Sequence, residues 1–214
     1  MNEEETIKVV LLGESGVGKT SIISQFTTNK FDPAQESSKS AQNVCKIIKF
    51  PDLGTSINFD IWDTTGNENY RLFAKIFYND ANVIILVYDI TKEKSLEEIK
   101  SFWYKEIKSN SNKNPIFAVV ANKSDFYEYE SAIDEGKEFA DKIGAIFQII
   151  SVPLNFGISK LFENIGKAIL IPGYDYKTEY IKGKEEYDKK KQQMEDENKE
   201  DKFYLFSLSK FLSL

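Results

Sequence analysis

The chain contains no histidine, which removes imidazole general-base chemistry and histidine metal ligation. Cys45 is its only cysteine, so no intrachain disulfide can form and a reducing compartment, the cytoplasm, is expected. Its strand-like neighbours predict a buried structural thiol. No apolar run approaches the roughly 20 residues of a membrane span. Met1 to Thr6 is short and acidic, unlike a secretory signal. Basic charge is also scarce, with 28 lysines and arginines against 34 acids and a net charge of −6, so nothing in the overall electrostatics favours a nucleic-acid partner. What remains is 214 residues, 41% hydrophobic and 29% charged. That is the composition of one soluble domain of ordinary size with some excess chain.

Within it stands Gly13-Glu14-Ser15-Gly16-Val17-Gly18-Lys19-Thr20, a match to G-x-x-x-x-G-K-[ST]. The apolar run Ile7 to Leu12 precedes it and a helix-compatible run, Lys19 to Phe26, follows, which is the strand–loop–helix context the motif requires. Glycines let the backbone curl so that the N–H groups from Glu14 to Ser21 point at one anion. The start of the helix adds its positive end. Lys19 reaches the outer phosphates, and the Thr20 hydroxyl is the candidate Mg²⁺ ligand.

Along the chain, Asn29 to Gln42 is polar, contains Pro33 and reads as an exposed loop. Val44 to Phe50 and Ser56 to Asp63 are predicted strands, joined by the turn signal Pro51-Asp52-Leu53-Gly54 into an antiparallel hairpin. Thr64 to Asn79 reads as a polar loop. Ala81 to Tyr88 is a continuous apolar run, as expected of a central parallel strand. Ser95-Leu96-Glu97-Glu98 has the form of a capping box opening a helix that buries Leu96, Ile99, Trp103 and Ile107. Pro115 to Ala121 and Ala145 to Ser151 are further strands, and Ala132 to Ile143 and Ile158 to Ile171 are helices, the first stopped by Gly144. This alternation predicts an α/β fold: a doubly wound, mostly parallel sheet with one antiparallel edge strand. In such sheets ligands bind beyond the carboxyl ends of the strands, where every motif below falls.

Residues 1–173 form the predicted domain, and 174–214 a tail. From Tyr174 to Leu214 nine lysines face ten acids, so the segment is solvated helix or disorder rather than a polybasic tether. Its end, Phe203 to Leu214, turns apolar. It reads as a weak interfacial anchor or partner-binding segment, or as a tail that folds back or frays.

Asp63 ends a predicted strand and precedes Thr64-Thr65-Gly66. A carboxylate there can hold Mg²⁺ through water, opposite Thr20, and Gly66 can bring a backbone N–H against a terminal phosphate. Asn122-Lys123-Ser124-Asp125 follows another strand. The Asp125 carboxylate accepts two hydrogen bonds only from a base edge with two donors. Guanine has such an edge and adenine does not, and an unmet buried charge costs more than the about 1–3 kcal/mol of a neutral group. Lys123 can lie along the base plane.

These three motifs, in this order and at these separations, resemble a Ras-superfamily small GTPase. Ile61-Trp62-Asp63, Asn69-Tyr70-Arg71 and Leu86-Val87-Tyr88-Asp89-Ile90-Thr91 are similar to the Rab branch, whose members act as membrane-traffic switches. The resemblance covers about residues 6 to 171. It implies GTP and GDP as ligands with Mg²⁺, and a monomer whose effectors, exchange factors and activating proteins engage residues 35–50 and 62–79. It also implies that Phe31 packs on the guanine ring, that Ser38 joins Thr20 and Asp63 at the metal, and that Ser151-Val152 offers a backbone N–H to the guanine oxygen.

Five departures stand out. Asn67 occupies the place of the glutamine that orients the attacking water. Its amide falls short by on the order of 1 Å, a displacement that can cost about 10²-fold in rate, so slow intrinsic hydrolysis is expected. Ser38-Lys39-Ser40 replaces threonine–X–glycine, and Val152-Pro153 replaces alanine–lysine. Asn43 stands where the family has a phenylalanine that packs with Trp62 and Phe77, so effector choice is expected to be unusual. No cysteine lies near the C-terminus, so a prenyl anchor is not expected.

Overall fold

The computed structural model describes residues 5–36, 38, 40–64 and 73–211. Six strands form one sheet in the order β2-β3-β1-β4-β5-β6. They are β1 (Glu5–Leu12), β2 (Gln42–Phe50), β3 (Thr55–Asp63), β4 (Val83–Asp89), β5 (Ile116–Asn122) and β6 (Ile146–Ile149). Only β2 runs antiparallel, paired with β3 from Gln42↔Asp63 to Phe50↔Thr55. The helices are α1 (Lys19–Thr28), α2 (Ala74–Tyr78), α3 (Glu93–Glu98), α4 (Tyr104–Asn110), α5 (Glu130–Ile143), α6 (Ile158–Leu170) and α7 (Tyr176–Phe211). The predicted doubly wound sheet with an antiparallel edge is therefore present. β1 lies between β3 and β4, so the chain leaves it in both directions. The crevice beyond its carboxyl end is the topological switch point.

Strand periodicity explains the two cores. In β1, Ile7, Val9 and Leu11 face one side with Phe26 of α1 and Leu161, Phe162 and Ile165 of α6. Val10 and Leu12 face the other with Leu96, Ile99, Trp103, Ile107 and Ile133. β4 is buried along its whole length, as a strand covered on both faces must be. Phe26 and Phe162 stack with centroids 3.8 Å apart. Burying each ring is worth about 1.5–3 kcal/mol, so α1, which opens at the phosphate-binding loop, is seated firmly on the sheet.

Several expectations are corrected. Cys45 is exposed, not buried. Along β2 the exposed positions alternate with partly buried ones, because an edge strand covers only one face, and Cys45 falls on the open face. Ser95 does not cap its helix. α3 begins at Glu93 after Lys92, and Ser95 is buried with its hydroxyl against the carbonyls of Asp89 (3.0 Å) and Lys92 (2.6 Å). The helix then passes through a π-helical turn, Ile99–Trp103, before α4, while Leu96, Ile99, Trp103 and Ile107 are buried as expected. The stretch 64–79 is not simply a polar loop, since it contains α2 and the fully buried Tyr78. The charged segment after Gly173 is helical from Tyr176, and part of that helix packs on the domain.

Two helical glycines mark close approaches. A Cβ at Gly136 would sit 2.1 Å from the Tyr88 hydroxyl, and one at Gly166 would sit 2.1 Å from the Phe50 ring. Alanine gains up to about 1 kcal/mol in helix propensity over glycine, but overpacking costs about 1–3 kcal/mol. Gly166→Ala is expected to destabilise the protein by about 1 kcal/mol in urea unfolding. A stabilised variant would show that α6 does not bear on Phe50.

Candidate functional site

The loop between β1 and α1 is shaped by what its glycines lack. Gly13 has φ +151° and Gly18 φ +98°. A Cβ on Gly13 would lie 2.2 Å from the Val87 carbonyl oxygen, and one on Gly18 would lie 2.3 Å from Asn122 Nδ2. The loop thus curls against the ends of β4 and β5 as only glycine permits. α1 starts directly after Gly18, so its first N–H groups, which have no intrahelical partner, open onto the cradle. Lys19 is 5% exposed, and its ammonium donates to the carbonyls of Gly13 and Glu14, each at 2.8 Å. Burial lowers its pKa to about 8, against the raising influence of Asp63 and Glu14. A buried cation held beside a curl of N–H groups is suited to a polyphosphate. Ser15, Gly16, Thr20, Ser21, Ser38 and Thr64 line the same cleft.

The three predicted metal ligands meet at one corner. Thr20 Oγ1 donates to Asp63 Oδ2 at 2.6 Å and lies 2.5 Å from Ser38 Oγ, which in turn donates to Asp63 Oδ2 at 3.2 Å. Adjacent oxygens around an octahedral Mg²⁺ at 2.0–2.1 Å stand about 2.9 Å apart, close to these spacings. Asp63 Oδ1 is buried without a hydrogen-bond partner among the described residues. Burial raises the Asp63 pKa, which the Thr20 bond, Lys19 and the Ser38 bond oppose. The set fits Mg²⁺, with one carboxylate and two hydroxyls leaving the remaining positions to phosphate and water. Among the described residues there is no cluster of three or more carboxylates, cysteines or histidines suited to a metal. Thr64, which follows Asp63, donates to the Leu11 carbonyl at 2.6 Å and so ties the metal corner to β1.

The second half of the site lies at the ends of β5 and β6. Asn122 is 2% exposed, and its Nδ2 donates to the Val17 carbonyl at 2.8 Å. Its Oδ1 is buried and unpartnered among the described residues. Lys123 adopts φ +64°, a conformation costing a non-glycine about 1–2 kcal/mol. Its ammonium lies 2.6 Å from the carboxylate of Asp89, whose side chain is fully buried. Asp125 Oδ1 accepts from the Ser151 hydroxyl at 2.6 Å, and the Ser124 N–H donates to the Ile150 carbonyl at 3.1 Å. Ser151 and Val152 are both buried. Phe31, the ring expected over the base, is 39% exposed. Its stretch is moored to the Ser151 loop by Asn29, whose Oδ1 accepts from Asn155 Nδ2 at 3.3 Å.

The predicted residues of both halves are thus brought together, apart from Gly66 and Asn67, which lie outside the described residues. Two contributors were not foreseen. Asp89 holds Lys123, and its signal was an acid closing a wholly apolar strand. Tyr187 of α7 reaches the back of the base loop, and its signal was the spacing Tyr176, Tyr180, Tyr187 at helical period amid charge.

A doubly wound sheet with this cradle at its switch point, a hydroxyl–carboxylate metal corner on one side and a base-reading loop on the other defines the class of small GTPases. Comparison with known proteins agrees. A model of the Ras family matches residues 8–171. The chain is 35% identical to Ras-related protein Rab-22A of Homo sapiens over 164 residues, 76% of this chain and 83% of that protein. It is 36% identical to Ras-related protein Rab-21 of Bos taurus over 166 residues, 77% and 73% of the two. It is 34% identical to GTP-binding protein ypt5 of Schizosaccharomyces pombe over 164 residues, 76% and 77%. The chain belongs to the Ras family, and within it is Rab-like.

The tight fit at Gly18 predicts a sharp separation between binding and stability. Gly18→Ala is expected to weaken GDP binding by two orders of magnitude or more. Gly54→Ala, also at positive φ but with open space around its Cβ, is expected to cost only the backbone strain of about 1–2 kcal/mol and to leave affinity unchanged. Isothermal titration alongside thermal unfolding checks both, and equal affinities in the two variants would contradict the cradle.

Proposed function

We propose that this protein is a Rab-like switch of intracellular membrane traffic that binds GTP and GDP with Mg²⁺ and hydrolyses GTP slowly. The observation that carries the reading is the convergence of the Gly13–Thr20 cradle with the Asp125 loop, joined by the Asn122–Val17 hydrogen bond. In this reading the N–H groups from Glu14 to Ser21 and the Lys19 ammonium hold the phosphates, and Lys19 offsets charge that builds on them during transfer. Thr20, Ser38 and Asp63 would hold Mg²⁺, which would supply positive charge against the outer phosphates. Asp125 accepts the two guanine donors, Lys123 and Phe31 flank the ring, and Val152 offers its N–H to the guanine oxygen. Gly66 presents its N–H to the terminal phosphate, so that GTP orders the segments around 35–42 and 64–79 and hydrolysis releases them.

Partner recognition falls to residues 35–50 and 62–79. Phe73 and Ile76 are 56% and 71% exposed, and Trp62 and Phe77 stand 5.6 Å apart beside them. Asn43, opposite Trp62 in the sheet, donates to Asp60 Oδ1 at 3.0 Å, so a polar contact stands where the family has a ring. That difference supports an effector set of its own. No described helix is long and apolar enough to cross a membrane. The apolar end from Phe203 supports a weak peripheral contact.

Asn67 sets the chemistry. Its short amide leaves the attacking water poorly held, and a partner that inserts its own groups restores about 10³–10⁵-fold. The same residue favours a second reading, a binding module that stays loaded with GTP. Single-turnover hydrolysis decides between them. Asn67→Gln is expected to hydrolyse GTP at least about 10-fold faster than the parent, a barrier change of about 1.4 kcal/mol. An unchanged rate would refute the account of Asn67, and no phosphate release with or without an activating protein would favour the module. Failure of the parent to bind GDP in magnesium buffer would overturn the whole assignment.

A further inference from the structure

Helix α7 begins after the residues matched to the Ras family, yet it is joined to the base-reading loops at several points. Tyr187 is 2% exposed, and its hydroxyl donates to the Ser124 carbonyl at 3.1 Å. That carbonyl belongs to the peptide group linking Ser124 to Asp125. The Tyr187 ring stands 5.8 Å from Tyr127 and 6.1 Å from Phe156, one following Asp125 and the other closing the loop that opens at Ser151. The Lys190 ammonium lies 4.7 Å over the Phe156 ring. Lys184 and Lys191 grip the two oxygens of Glu130, at 2.5 and 2.6 Å, just beyond Tyr127. Their hydrogen bonds hold the Glu130 carboxyl down to about 2. One turn and more toward the start of α7, Tyr180 packs edge-on against Phe147 of β6, 5.4 Å away.

We infer that Tyr187 is a positioning residue for guanine recognition, and that α7 sets how long a nucleotide stays bound. Asp125 meets the base through its carboxylate, and the backbone carrying it is fixed from two sides. The Ser124 N–H is held by Ile150, and the Ser124 carbonyl is held by Tyr187. The carboxylate itself is steadied by Ser151, in the loop whose end Phe156 rests beside Tyr187. With the Tyr187 hydroxyl removed, the peptide group before Asp125 loses its outer tether, while the ring beside Tyr127 and Phe156 stays in place. The phosphate half of the site is left as it is, because the contacts of Tyr187 lie at Ser124, Tyr127 and Phe156. The inference rests on the guanine-binding assignment above.

The test is the release rate of a fluorescent GDP from the full chain. A buried neutral hydrogen bond contributes about 0.5–1.5 kcal/mol, so Tyr187→Phe is expected to release GDP about 2–10-fold faster. GTP release should quicken by the same factor, and single-turnover hydrolysis of bound GTP should stay within about twofold of the parent. Gly166→Ala, a destabilising change far from the base loops, should release GDP at the parent rate, which separates positioning from general loss of stability. Should Tyr187→Phe fail to fold, Glu130→Gln, which loosens the two-lysine grip, carries the same expectation. Release at the parent rate in the folded variant, with the parent binding GDP normally, overturns the inference and leaves the binding assignment standing. Faster release that is matched by Gly166→Ala overturns it also. A parent that binds no guanine nucleotide overturns both.

Discussion

The hydrogen bond from Asn122 Nδ2 to the Val17 carbonyl joins residues 105 positions apart in the chain and is buried. It fixes the distance between the loop that opens α1 and the loop that ends β5. In the proposed reading a nucleotide meets both loops at once, its phosphates at one and its base at the other, so this spacing would act as the ruler of the site. The bond forms only because Gly18 has no side chain to occupy the place of the Asn122 amide. Breaking it would leave a buried amide and a buried carbonyl unmet, at about 1–3 kcal/mol for each group. The sheet makes the arrangement possible. β1, β4 and β5 run parallel with their carboxyl ends side by side, and the loops that leave them converge on one edge.

Strain and desolvation gather at that edge. Lys123 holds a left-handed backbone, burial lowers the Lys19 pKa to about 8, and burial raises that of Asp63. In the proposed reading phosphate would offset the burial of the Lys19 charge and a divalent cation that of Asp63, while the Lys123 ammonium is already paired with Asp89 at 2.6 Å. The two-sided packing of the sheet, with Phe26 stacked on Phe162 beneath α1, supplies the stability that tolerates these local costs.

Much of this was legible in the residues. The strands with unbroken apolar runs, β4 and β5, declared themselves because burial on both faces leaves few polar positions to blur the pattern, and β1 is interrupted inside its apolar stretch by Lys8 alone. The loops Gly13 to Thr20 and Asn122 to Asp125 stood out because particular residue types occur there at fixed spacing, and the structure brings the two loops together. Failures came where local pattern and tertiary context part. Cys45 looked buried from its apolar neighbours, but being at the edge of a sheet is a property of strand order, which local sequence does not encode. Ser95 fits a capping box, yet its hydroxyl is engaged with Asp89 and Lys92 inside a helix that starts at Glu93. Tyr187 was hidden by the charge around it. Only the fold shows that the lysines beside it face Glu130 and Phe156 rather than water.

The position of Cys45 has a practical side. It is the sole thiol of the chain, it is exposed, and it lies on the open face of β2 beside Asp60, with its sulfur 3.8 Å from a carboxylate oxygen. A maleimide dye would therefore label native material at one known place, without engineered cysteines. That place is on the strand entered directly from the segment expected to reorder with the nucleotide, so its fluorescence would report the state of that segment in real time.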